Sequence, residues 1–127
     1  MRLYEFTPTG TKYGLCVSEK SYAKMMDRLD VPCSERLPFV SKGKGATTHF
    51  IETTEGLNCV VCVGDMEGHS QNEVHGLICH ECVHVWQAIK EWMGENQPGE
   101  EVEAYSVQSI FVNMVSCWDK KIAKGRS

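Results

Sequence analysis

A chain of 127 residues is the size of one compact domain and too short for two ordinary ones. With 42% hydrophobic and 24% charged residues it has a globular composition, and a core of this size folds without disulfides. The net charge is −4, and its basic residues are scattered except for Lys120, Lys121, Lys124 and Arg126; that balance argues against a nucleic-acid partner.

No apolar run approaches a membrane span, and the start Met1-Arg2-Leu3-Tyr4-Glu5 lacks the core of a signal peptide. The expectation is a cytoplasmic protein with reduced thiols and no membrane partner. Seven cysteines, an odd number, cannot all pair within one chain. In a reducing compartment they serve as metal ligands or as small core residues.

In chain order, residues 13–17 read as a short strand. Ser18 caps a helix over 19–29, whose Tyr22, Met25, Met26 and Leu29 share a face. Pro32 ends it, and a loop through Pro38 and Ser41-Lys42-Gly43-Lys44-Gly45 follows. Residues 47–53 alternate and 57–63 are rich in valine, with Glu55-Gly56 between them, which predicts a hairpin. Ser70 and Glu73 form a capping box that opens a helix to about residue 93, with Gly94 closing it. A turn at Pro98-Gly99 leads to a last helix over about 100–122, with an apolar stripe of Ala104, Val107, Phe111, Met114, Val115 and Trp118. The pattern predicts one α+β domain over residues 1–127, with a small antiparallel or mixed sheet packed on two long helices.

The long helix carries His80-Glu81-Cys82-Val83-His84. Residues four apart point the same way, so both imidazoles can reach one ion at about 2.0–2.1 Å. Glu81, about 100° further round, misses that ligand set but can reach a water beside the ion, as a general base must. Uncharged residues cover most of this helix, leaving His80, His84, Gln87 and Glu91 in one polar line. A catalytic zinc takes three protein ligands and leaves one position open. Glu91 is too far along the axis, which leaves Glu100, Glu101 and Glu103 at the start of the next helix. Helical phase favours Glu101, which aligns with Tyr105 and Gln108, and puts Glu103 round the other side.

The stretch from Gly76 to Trp86 resembles the extended zincin signature, in which uncharged residues surround H-E-x-x-H. Glu101-Val102-Glu103-Ala104-Tyr105 resembles the E-x-x-A-[DY] element of gluzincin metallopeptidases, with Tyr105 where an acidic support residue is common. The whole is similar to small metallopeptidases encoded by phages or prophages, whose setting would be a phage-infected or lysogenic bacterium. The resemblance implies a minimal zincin-like domain with its active-site core at about 47–122. It also implies one Zn²⁺ on His80, His84 and Glu101, Glu81 as general base, and a peptide or protein substrate. The strand over 57–63 is then the candidate sheet edge for binding an extended peptide by strand addition.

Two other readings compete with this one. A zincin-like domain of this kind could bind metal yet work without catalysis, as a binding or structural protein in phage biology. Alternatively, Cys59-x-x-Cys62 and Cys79-x-x-Cys82, sixteen residues apart, have the spacing of a Cys₄ zinc ribbon. Against the ribbon, Cys59 and Cys62 lie in a β-branched run, where a strand would send them to opposite faces. Cys16, Cys33 and Cys117 show no base that would make them nucleophiles, and His49, His69 and His75 read as structural or surface residues.

Overall fold

A computed structural model of the chain describes residues 2–6 and 9–125; Arg126 of the basic C-terminal cluster lies outside them. Strands β1 (Tyr4–Phe6) and β2 (Thr11–Cys16) are followed by helix α1 (Glu19–Arg28) and a short 3₁₀ turn, Cys33–Glu35. The hairpin of β3 (Ala46–Thr53) and β4 (Gly56–Val63) comes next, then α2 (Gln71–Met93) and α3 (Glu100–Ala123). The fold is α+β, with a mixed four-stranded sheet in the order β1-β2-β4-β3. β2 and β4 are parallel, and the two outer pairs are antiparallel.

β4 is internal, correcting the expectation that it forms the edge. Every residue from Leu57 to Val63 is buried. A strand buried on both faces reads as a continuous apolar run, which is what its valines and cysteines encode. Leu57, Cys59, Val61 and Val63 face α2 and α3, whereas Val60 and Cys62 face Cys16, Tyr22, Met25 and Met26 on the α1 side. The exposed edge is β3, which pairs on one side only. Strand β1, outside the predicted elements, caps the opposite edge with three residues.

Ser70 accepts from the Glu73 amide and Glu73 returns a bond to the Ser70 amide, so the first turn of α2 has its donors satisfied. Gly94 ends the helix at φ 74°, a left-handed conformation that costs other residues strain. Val74, Ile78, Cys82, Val85, Trp86 and Ile89 form the buried face of α2; each large apolar side chain among them contributes about 1.5–3 kcal/mol on burial. Glu81 is buried with them and Leu77 and Ala88 are half-buried at the margin, but His80, Val83, His84 and Gln87 are exposed, so the helix is amphipathic rather than enclosed on nearly all sides.

The buried face of α3 is Ser106, Ile110, Met114, Cys117 and Trp118, with Val107, Phe111 and Val115 at its margin and Ala104 exposed. The stripe is thus rotated from the expected one. Helix α3 is apolar on more than one face, with Val102, Tyr105 and Val112 all solvent-exposed, and so periodicity alone set its phase poorly. Asn113 Nδ2 donates to the Tyr13 hydroxyl at 2.7 Å and ties the middle of α3 to β2. No helix among the described residues is long and apolar enough to cross a membrane.

Replacing Ser70 with alanine removes the cap from the helix that bears the histidines. The expected cost is about 1 kcal/mol, read as a lower urea midpoint with an unchanged denaturant slope.

Candidate metal and peptide site

His80 and His84 stand on the solvent face of α2 with their rings 4.8 Å apart, edge to face. Their Nε2 atoms are 3.2 Å apart. Two nitrogens about 2.0–2.1 Å from a tetrahedral zinc lie about 3.3–3.4 Å from each other, so the pair has the spacing of two ligands. The Gln87 side-chain oxygen lies 3.2 Å from His84 Nδ1. An amide oxygen can only accept, so this contact puts the ring proton on Nδ1 and leaves Nε2 its lone pair, the tautomer a metal requires.

Glu81, one residue on, points the other way. Its side chain is 8% exposed while that of His80 is 66% exposed. Thr48 Oγ1 on β3 donates to Glu81 Oε1 at 2.8 Å, and Glu81 Oε2 lies 3.9 Å from His80 Nε2. One carboxylate oxygen is therefore held by the sheet edge and the other lies near His80 alone of the two histidines.

Glu101 is exposed on α3 with Tyr105 and Gln108, on the face turned away from the core. The carboxylate that helix packing delivers to α2 is instead Glu103. Its Oε2 accepts from Trp86 Nε1 at 2.8 Å and from Lys90 Nζ at 3.3 Å. Among the described residues, no group of three or more His, Cys, Asp or Glu side chains is gathered around a point where one ion could sit. The structure thus assembles His80, His84 and Glu81 and leaves Glu101 apart.

Cys59 and Cys62 sit on opposite faces of β4 and cannot converge on one ion, and Cys82 is buried with Cys59. Burial pushes the thiols of Cys59 and Cys82 up to about 12, so both stay protonated and pack as small apolar groups. None of the seven cysteines forms a disulfide. His49 is buried against Tyr22 and bonds through Nε2 to the Phe39 carbonyl, and His69 and His75 meet Glu73 and Asp119.

Between β3 and the C-terminal half of α2 lies an open cavity of about 580 Å³, with Phe50, Glu52 and Leu57 on the sheet side and His84, Glu91 and Trp92 on the helix side. Sequence reading missed this groove because nothing local records that residues 50 and 52 lie beside residues 84 and 91. No protein-family model, curated protein or solved structure matches the chain.

Two outcomes follow from these contacts. Thr48→Val leaves a buried carboxylate oxygen without its donor and should cost about 1–3 kcal/mol in urea unfolding, while Thr48→Ser should recover most of it. The hydrogen bond from Trp86 and then that from Lys90 hold the Glu103 carboxyl below its ordinary value of 4.5. A depressed folded value means stability that is present above the unfolded value and lost as pH falls through the folded one. The stability gap between the parent and Glu103→Gln should therefore be full at neutral pH and close in acid below about pH 4.5.

Proposed function

We propose that the chain is a zinc-dependent peptidase of minimal zincin-like build, with His80 and His84 as metal ligands and Glu81 as general base. The observation that carries this reading is the meeting of two Nε2 atoms 3.2 Å apart with a sheltered carboxylate oxygen 3.9 Å from one of them. Zinc held there would supply Lewis-acid chemistry and lower the pKa of bound water towards about 7. The chain's own residues divide the remaining work. Gln87 orients His84, Thr48 occupies one oxygen of Glu81, and the second oxygen is left to take a proton from the attacking water and return it to the leaving amine. The free edge of β3 offers an extended peptide its unpaired backbone groups beside this carboxylate.

Glu101 is the third ligand in this proposal, by the resemblance of its segment to the gluzincin element. It stands in the first turn of α3, which Gly99 opens without a side-chain cap. Metal binding would have to draw this exposed carboxylate inward. A second reading has a specific observation in its favour: because only two donors converge, the same groove could serve a metal-free binding protein.

Zinc content after dialysis separates the two readings. The parent should hold one ion per chain, His80→Ala/His84→Ala none, Glu101→Ala less than the parent, and Glu103→Ala as much. Both histidines are exposed, so their loss leaves the core intact. Glu81→Gln should keep the ion and lose peptide hydrolysis by about a hundredfold or more. A parent without zinc, or a histidine variant that retains it, would transfer the assignment to the binding protein; unchanged zinc in Glu101→Ala would remove that residue alone.

A further inference from the structure

The geometry points to a subsite for a long basic side chain, arginine above lysine, in the groove between β3 and α2. Strand register defines its walls. Thr48, Phe50 and Glu52 alternate onto the face of β3 that meets α2, because they pair with Val61, Cys59 and Leu57, all of which face α2 and α3. Thr48 reaches Glu81, and two and four residues further along the strand Phe50 and Glu52 line the cavity that His84 also lines. The subsite therefore opens directly beside the histidine pair.

Its chemistry is specific. Leu57 supplies a buried apolar floor. Phe50 and Trp92 are 49% and 43% exposed, large for aromatic rings, and both border the same cavity. Glu52 and Glu91 bring two negative charges, and among the described residues neither belongs to an ion pair. Of the nearby cations, Lys90 turns to Glu103 and Lys12 to Glu55, and Arg28 lines a separate cavity that shares Glu52 without forming an ion pair with it.

A groove with an apolar floor, two ring faces and two uncompensated carboxylates repels anions, and it strips water from its own charges if an aliphatic group fills it. A side chain with a hydrocarbon stem and a cationic head satisfies every wall. The stem packs on Leu57, and the head meets the carboxylates and the aromatic faces. Guanidinium is preferred because its planar fork stacks on rings and binds carboxylates in pairs. This deepens the peptidase reading, on which it rests for the peptide being a substrate; a basic residue near the bond to be cut becomes the specificity determinant.

The test measures binding without turnover, using Glu81→Gln protein and two probes. One is a hexapeptide of alanines with a single central arginine, and the other carries citrulline, a neutral isostere, in its place. The arginine peptide should bind about tenfold tighter or better, and it should change Trp92 fluorescence. Adding Glu52→Gln and Glu91→Gln should bring the two affinities together, and raised salt should do the same on the unsubstituted groove. Equal affinity for both peptides, a preference that survives the double substitution, or binding of neither would overturn the subsite. Zinc retained without arginine preference sinks this inference alone. Arginine preference in a parent chain that holds no zinc and cuts nothing sinks the peptidase reading alone.

Discussion

Burying an ionisable carboxylate is costly unless hydrogen bonds replace the water it loses. Glu81 stands in a helix face otherwise made of Ile78, Cys82, Val85 and Trp86, and its partner is the hydroxyl of Thr48 on the neighbouring strand. The apolar face of α2 sets its roll against the sheet, and that bond pins Glu81 to the edge strand within it. With Glu81 directed at β3, helical geometry leaves His80 and His84 facing solvent. The same roll opens the groove along Phe50 and Glu52.

The rest of the fold supplies the rigidity that this placement needs. β4 is sandwiched between α1 on one side and α2 with α3 on the other, and its parallel pairing to β2 makes it the centre of the sheet. β3 hangs from β4 by eight residue pairs, Ala46↔Val63 to Thr53↔Gly56, so the edge that faces the histidines is anchored along its whole length. On the far side, Glu103 binds both Trp86 and Lys90 and locks α3 to the back of α2. Of the cysteines that resemble a ribbon by spacing, Cys59, Cys62 and Cys82 belong to this packing, divided between the two faces of β4 and the buried side of α2, while Cys79 is half-buried outside it.

The two carboxylates at the start of α3 show how a helix can mislead when read alone. Glu101 and Glu103 are two residues apart, about 200° round the axis, so only one can face α2. The expected stripe followed exposed Ala104 and the half-buried Val107, Phe111 and Val115, and so lay to one side of the buried Ser106, Ile110 and Cys117. Tertiary packing chose the face carrying Glu103, where an indole N–H and an ammonium awaited a carboxylate. The strand edge misled for a related reason. Alternation in 46–53 and continuity in 57–63 were both legible, yet their meaning as edge and centre depends on β2, more than forty residues earlier, pairing with β4.

By itself the sequence determined the local elements and the pairing of two imidazoles, because these follow from contacts within a few residues. Capping at Ser18, Ser70 and Gly94 placed helix ends, and i,i+4 spacing brought His80 and His84 together. Only the tertiary structure decided that β3 is the edge, that Thr48 holds Glu81, that Glu103 rather than Glu101 meets α2, and that Glu52 and Glu91 share a groove. Those outcomes join residues from 13 to 33 positions or more apart, and which residues meet across such gaps is settled by how whole elements share one core, a quantity no single window of the chain contains.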